Sequence, residues 1–120
     1  MAAIVKNLSI EKGAVYRLRF IPQVTGGTPL DLSGCTARLQ IRDAVDILID
    51  ELSTLNGRIA LGGVTGTVDL LFPADVTAAM QKDAGVYDLE ITPSSGPTET
   101  WKLARGRIKY VAEVTREARP

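Results

Sequence analysis

The chain has 120 residues, of which 45% are hydrophobic and 23% charged, as expected for one globular domain. Its fourteen basic and fourteen acidic side chains cancel, so it lacks the basic excess that attracts nucleic acids and anionic membranes. No apolar run is long enough to span a bilayer. We therefore expect a single domain over residues 1–120, with neither nucleic acid nor membrane as a partner.

The N-terminal residues and the cysteine content indicate where the chain folds. No basic segment followed by an apolar one opens the sequence, so we expect no signal peptide. Cys35 is the single cysteine, which excludes an internal disulfide framework. Both observations favour folding in a reducing cytoplasm.

Alternation of apolar and polar residues predicts a series of half-buried β-strands. The clearest case follows a turn at 29–34, where Ala37, Leu39 and Ile41 alternate with polar residues. In chain order, the predicted strands are 3–10, 14–20, 35–42, 47–52, 57–61, 67–72, 86–91, 100–105 and 108–114. Seven to nine short strands with turns between them predict a β-sandwich or a small barrel.

One segment interrupts this pattern. Pro73 stands at a plausible first helical position before an alanine-rich stretch, so a short helical crossover is predicted near residues 73–81. The next strand carries Tyr87 near its start, which is typical of one corner of immunoglobulin-like sandwiches. The sequence thus predicts an all-β, immunoglobulin-like antiparallel sandwich with a short polar tail from about residue 115.

The residue types that most often carry catalysis are scarce. The absence of histidine excludes a triad with a histidine base, a histidine-ligated metal and an imidazole pH switch. Cys35 shares the register of the buried residues of its strand, which predicts a small core residue. We expect no catalytic residues, no metal site, no cofactor and no enzyme activity.

Two loops need a separate interpretation. Asp43, Asp46, Asp50 and Glu51 are close in sequence, but no glycine marks the sharp turn of a calcium loop, so a solvated loop is predicted. The glycine-rich segment 62–66 lacks the lysine and hydroxyl residue of a phosphate-binding loop. It is predicted to be a hairpin turn.

The candidate functional residues are those that face outward from strands. Four arginines would form a basic patch if their strands were neighbours, although an ion-paired sheet face is the simpler expectation. Because aromatic residues make up 5% of the chain, these arginines favour a protein interface over nucleic-acid binding. Trp101 shares a strand face with Leu103 and is either a core residue or an anchor for a partner. The candidate interface residues are Arg17, Arg19, Arg38, Gln40, Arg42 and Trp101.

Several segments together carry a resemblance to a known group of proteins. They are 9–13, 29–42, 56–59, 85–91 and 105–116, and the stretch from Pro29 to Arg42 is the most informative. In these segments the chain resembles small tailed-phage virion proteins encoded among tail and baseplate genes. It is also similar to the N-terminal domain of phage baseplate upper proteins, which holds receptor-binding fibres on the baseplate. Cys35 departs from the pattern, because such proteins often carry an aromatic residue there.

The resemblance implies a virion structural subunit with an immunoglobulin-like fold and no catalytic residues. We expect a tail or baseplate component, or an adaptor that attaches fibres or neighbouring subunits. Its partners would be copies of itself and tail or fibre proteins, and it would reside in the virion after synthesis in the host bacterial cytoplasm. Such modules assemble through unpaired strand edges, for which 3–10 and 108–116 are the candidates.

Two alternatives stay open. A capsid decoration or neck protein needs the same stable, inert module. A carbohydrate-binding or host-surface-binding module belongs to another class, and the low aromatic content argues against it.

Overall fold

A computed structural model describes residues 3–24 and 26–115. Its described elements are strands, one short α-helix and two 3₁₀ turns, at Gly63–Thr65 and Pro97–Glu99. In chain order they are β1 (Ile4–Val5), β2 (Leu8–Glu11), β3 (Tyr16–Phe20), β4 (Thr36–Arg42), β5 (Leu48–Ser53), β6 (Ile59–Leu61), β7 (Val68–Phe72), α1 (Ala74–Ala78), β8 (Ala84–Thr92) and β9 (Trp101–Val111).

The strands form two sheets. In the large sheet, β9, β8, β4 and β5 lie side by side and antiparallel, while β1 and β2 pair with β9 in parallel. The small sheet has the order β3-β7-β6. Two mainly antiparallel sheets that pack face to face make an immunoglobulin-like sandwich. The predicted fold class is confirmed, and the predicted helical crossover is α1.

The core lies between the sheets and is built by the predicted alternation. Ala37, Leu39 and Ile41 of β4 are at most 5% exposed, and they face Val68, Leu70 and Phe72 of the small sheet, which are at most 1% exposed. Cys35, just before β4, is half-buried and packs against this core. Burial raises the pKa of its thiol. Cys35 was predicted to be a small core residue; it packs against the core but is only half-buried.

The end of the chain differs from the prediction. Segments 100–105 and 108–114 were expected to be two strands, but β9 runs without a break from Trp101 to Val111. A bulge resets the alternation, because Lys102 pairs with Glu90 and Ala104 with Leu89, which leaves Leu103 unpaired. Leu103 and Ala104 are both buried as a result.

The predicted edge at 108–116 is also wrong for 108–111. Leu8 pairs with Ile108 and Glu11 with Val111, so β2 covers this part of β9 and makes it an interior strand. Residue 116 and most of the predicted polar tail lie outside the described residues.

The predicted first strand is present as β1 and β2, interrupted at Lys6 and Asn7 but in one register along β9. The Tyr87 hydroxyl donates to the Lys6 carbonyl at 2.7 Å, and the Arg107 N–H donates to the Asn7 side chain at 3.0 Å. A Cβ at Gly106 would lie 2.0 Å from the Lys6 oxygen, so this close approach requires glycine. Burial raises the pKa of Tyr87 to about 12. These contacts fix the N-terminal segment on the large sheet.

A buried threonine fastens α1 to the opposite turn. The Thr77 hydroxyl lies 2.9 Å from the Ala14 carbonyl and 3.1 Å from the Ala74 carbonyl, and it accepts the Gly13 N–H at 3.1 Å. Thr77 is 1% exposed. Since a buried backbone group without a partner is unfavourable, this hydroxyl holds the corner between β7 and β8 against the turn between β2 and β3.

Replacing the hydroxyl while keeping the shape should therefore destabilise the fold. Thr77→Val leaves the Gly13 N–H and the Ala14 carbonyl without this partner and should lower the free energy of unfolding by about 1–3 kcal/mol. Thr77→Ser keeps the hydroxyl and should lose about 0.8 kcal/mol for the missing methyl group. Urea denaturation measures both, and equal losses in the two variants would contradict the assigned role.

Candidate protein interface

A hydrogen-bonded network covers one half of the outer face of the large sheet. Arg42 donates to the Gln40 side chain at 2.8 Å, and Gln40 donates to Glu51 at 2.8 Å. Arg38 also donates to Glu51, at 2.5 Å. The network joins β4 to β5 and holds three of the predicted interface side chains, Arg38, Gln40 and Arg42, in defined positions.

Opposite charges also pair between β8 and β9. The Lys102 ammonium lies 2.7 Å from Glu90 and 3.1 Å from Asp88. The hydrogen bond to Glu90 is the largest influence that raises the pKa of Lys102. Between this pair and the β4 network lies a shallow depression of about 310 Å³, to which Val86 adds an apolar wall.

Further along the same face, β9 carries a row of cations that sequence reasoning did not select. Arg105, Arg107 and Lys109 are exposed and occupy alternate positions, so they project from one face of the strand. Among the described residues, no carboxylate forms an ion pair with any of the three. Their alternation was visible in the sequence, but only the sheet shows that they share a face with β4. We call this set the β9 cation row.

The predicted arginines do not form one patch. Arg17 and Arg19 lie on β3 in the small sheet, whereas Arg38 and Arg42 lie on β4 in the large sheet. Arg19 makes a two-pronged ion pair with Asp69, at 2.6 and 3.0 Å. The expectation of ion-paired sheet faces is therefore met at Arg19 and Arg38. The condition for a single basic patch, neighbouring strands, is not.

Trp101 lies at the start of β9 and is half-buried against the core. It pairs with Ile91, which is fully buried, so its side chain lies on the inward side of the sheet. Trp101 is thus separated from the network on the outer face.

The acidic cluster is divided among separate structural contacts. The Asp43 carboxylate accepts the N–H groups of Val45 and Ile47 at 3.0 Å, and these bonds lower its pKa. They shape the turn between β4 and β5, in which Asp46 has a φ of 66°. In the part of the chain that the structure describes, no three potential ligands among cysteine and acidic residues converge as a metal site would require.

Asp50 instead forms an ion pair with Arg58, which the sequence analysis did not select. The two terminal guanidinium nitrogens of Arg58 each lie 2.7 Å from an Asp50 carboxylate oxygen, and both side chains are at most 15% exposed. Arg58 also donates to the carbonyls of Leu71 and Glu51, which links β7 to β5 across the sandwich. Nearby, the hydroxyl of Tyr110 is buried without a hydrogen-bond partner among the described residues. Burial and the charge of Asp50 raise the pKa of that hydroxyl well above its ordinary value.

Neither sequence comparison finds a relative: no protein-family model matches the chain, and no curated protein sequence does. Solved structures do resemble it. The extracellular domain of the voltage-gated sodium channel beta4 subunit, known from structures of its parallel homodimers, matches 95% of this chain and 97% of its own, with a TM-score of 0.53 and 10% identity. The N-terminal domain of ORF48 of phage TP901-1 matches 91% of this chain and 86% of its own, with a TM-score of 0.49 and 12% identity. At 10% identity, the likeness to the beta4 domain concerns the sandwich fold alone.

A search for membrane-spanning helices was negative: within 3–24 and 26–115, no helix has the length and apolar character to cross a membrane.

The network around Glu51 should be visible in its titration. Hydrogen bonds from Gln40 and then Arg38 lower the pKa of Glu51 below its usual 4.5. A lowered pKa in the folded state stabilises the protein above pH 4.5, and this contribution is lost as the pH falls through the folded-state pKa. Glu51 is partly exposed, so Glu51→Gln should reduce the free energy of unfolding by less than about 1 kcal/mol at pH 7. The reduction should shrink below pH 4.5.

An NMR titration of the Glu51 side-chain carboxyl measures this pKa directly. In Gln40→Met, which keeps the size of the side chain but lacks the amide donor, the pKa of Glu51 should move up towards its ordinary value. A Glu51 that titrates at 4.5 or above in the unmodified protein would contradict the network.

Proposed function

We propose that this protein is a non-enzymatic structural subunit of a tailed bacteriophage particle. Its role would be that of a tail or baseplate component, or of an adaptor that attaches fibres or neighbouring subunits. The observation that carries the proposal is the resemblance of its sequence to small tailed-phage virion proteins and to the N-terminal domain of baseplate upper proteins. The immunoglobulin-like sandwich that this resemblance implies is the fold of the chain.

The placement of the resembling segments supports a contact role for the large sheet. Segments 29–42, 85–91 and 105–116 contribute β4, most of β8 and the end of β9, which are adjacent strands of that sheet. The outer face of these strands carries the Arg38–Gln40–Arg42 network and the β9 cation row. We assign the contacts with neighbouring virion proteins to this face.

The charged side chains of this face are arranged to recognise a partner specifically. The network side chains are held by one another, so a partner meets them in fixed places, which favours specificity. No carboxylate of residues 3–24 and 26–115 forms an ion pair with the β9 cation row, so carboxylates of a neighbouring subunit are its natural partners. The partners proposed are other virion proteins, including copies of this chain. Parallel homodimers of the sodium channel beta4 domain provide one example of self-association on a sandwich of this kind.

The location of the protein tests the proposal first. Particles purified from bacteria that produce the encoding phage should contain the chain as a stoichiometric component in mass spectrometry. After separation of tails from heads, it should remain with the tails. Recovery with the heads alone would favour a capsid decoration or neck protein, and absence from purified particles would contradict a virion role.

The contact face has its own test in the variant Arg107→Glu. Arg107 is exposed and makes no side-chain ion pair within the described chain, so charge reversal should leave the urea midpoint unchanged. Incorporation into particles, measured by complementation, should fall about tenfold, which corresponds to ~1.4 kcal/mol. The control Thr98→Glu places a glutamate on an exposed turn at the end of the sandwich and should be incorporated normally; it changes the net charge by −1, against −2 for Arg107→Glu. Equal incorporation of the two variants would argue against this face.

A further inference from the structure

The small sheet ends in an open strand. β3 pairs with β7 on one side, and on its other side no strand of the described chain pairs with it. Its inward residues Tyr16 and Leu18 are only partly buried, whereas Val68, Leu70 and Phe72 of β7 are at most 1% exposed. The core is therefore incompletely covered at this edge.

The hydrogen bonds of β7 show which backbone groups of β3 are free. The Leu71 N–H donates to the Arg58 carbonyl at 2.9 Å, and the Thr67 carbonyl accepts from Gly62 at 2.8 Å. Residues 67 and 71 are therefore directed away from β3. Since successive residues of an antiparallel strand are directed to opposite neighbours, residues 68, 70 and 72 are the ones that bond to β3.

The register then assigns the free groups. Tyr16, Leu18 and Phe20 are paired with residues 72, 70 and 68, so their N–H and C=O groups are used within the sheet. The N–H and C=O groups of Arg17 and Arg19 are directed to the open side. No hydrogen bond of the described chain engages those of Arg17.

The edge strand β5 of the large sheet, by contrast, is covered by side chains. On β5, the Asn56 side chain accepts the Ser53 N–H at 2.9 Å and donates to the Glu51 carbonyl at 3.1 Å. Arg58 donates to the same carbonyl at 3.0 Å. Covering an edge in this way prevents pairing with other strands, and β3 has no equivalent among the described residues.

The charges along β3 indicate what kind of strand would fit. Arg19 is held by Asp69, its partner on β7, but Arg17 is opposite Leu71 and forms no ion pair with a described carboxylate. A strand added along the open edge would place its own outward residues beside Arg17. Opposite charges across a strand pair are stabilising, so a carboxylate at that position is favoured. A second copy of β3, paired about the middle of the strand, would instead set arginine against arginine.

We propose that the open edge of β3 accepts an extended strand of another protein in which apolar and acidic residues alternate. The guest's backbone would bond to Arg17 and Arg19, its apolar side chains would cover Tyr16 and Leu18, and its acidic side chains would meet Arg17. This is strand addition to a sheet edge, a common mode of peptide recognition. The inference does not depend on the proposed virion role, since it uses the small sheet and not the face assigned to virion contacts.

A peptide titration tests the proposal on the full chain. The probes are two short capped peptides, one alternating valine with glutamate and the other valine with lysine, each used where it is monomeric alone. In ¹⁵N NMR spectra, the glutamate peptide should shift the amides of 15–21 saturably and protect those of Arg17 and Arg19 from exchange. The lysine peptide should bind about tenfold more weakly, a difference of ~1.4 kcal/mol.

Two variants distinguish the contribution of the Arg17 backbone N–H to peptide binding from that of the Arg17 charge. Arg17→Pro removes an N–H that is directed away from β7, so the ladder of the small sheet should survive while peptide binding falls by about tenfold or more. Arg17→Glu keeps the N–H and should reverse the preference in favour of the lysine peptide. This second variant keeps the test informative if the proline variant does not fold.

Other outcomes would overturn the proposal. They are equal binding of the two peptides, amide shifts that map away from β3, and no binding of either peptide. Concentration-dependent dimerisation that Arg17→Pro abolishes would also overturn it, because the occupant of the edge would then be a second copy of this chain. A failed titration would leave the virion assignment unaffected, because that assignment is tested by particle composition.

Discussion

The parallel pairing of the N-terminal segment with β9 is the constraint on which the rest of this structure depends. Lys6 and Asn7 are held on the large sheet by the Tyr87 hydroxyl and the Arg107 N–H, and Gly106 provides the space for that approach. Because the first strand is committed there, β9 becomes an interior strand of the large sheet. For the same reason, the described N-terminal residues from 3 onwards add no strand to β3, and the small sheet keeps an open edge.

Because the N-terminal segment pairs with the large sheet, the two sheets of the sandwich present different surfaces. On the large sheet, six strands present a continuous outer face, where a hydrogen-bonded network lies beside the β9 cation row, which has no ion-pair partner among the described residues. On the small sheet, Arg19 is neutralised by Asp69, and the distinctive feature is the free backbone of β3. A protein built in this way can contact one neighbour through side chains and another through its backbone, which suits the adaptor role proposed above.

The strands were predictable from sequence because alternation is a local property. The inward residues of β4 and β8 followed directly from the period of two. The same period predicted Cys35 to be a core residue, but it lies just before β4 and is half-buried. The sheet in which each strand lies depends on contacts between residues distant in sequence. For this reason the arginines of β3 and β4 lie in different sheets and make no common basic patch. For the same reason, residues 108–111 of the expected edge are covered by β2. In the sequence, the adjacent apolar residues Leu103 and Ala104 interrupt the alternation of β9, but this interruption alone does not indicate a bulge. The pairing of β9 with β8 shows the bulge, because Leu103 has no partner there.

The residues of the candidate site likewise divide into those that one strand identifies and those that depend on contacts between strands. Arg38, Gln40 and Arg42 were identified because they alternate with core residues on one strand. The β9 cation row was missed as a site because its significance depends on the neighbouring strands. Arg58 and Asp50 were missed as a pair because neither is exceptional in the sequence, and their ion pair depends on how β5 meets β7.

A reconstruction of the phage particle at side-chain resolution tests the central claim most directly, namely that the outer face of the large sheet is an interface between virion proteins. We expect a sandwich of this topology in the tail or baseplate, with that face against a neighbouring subunit and carboxylates of the neighbour beside Arg105 and Arg107. A particle in which the chain is present but this face is open to solvent would rule out the assigned interface.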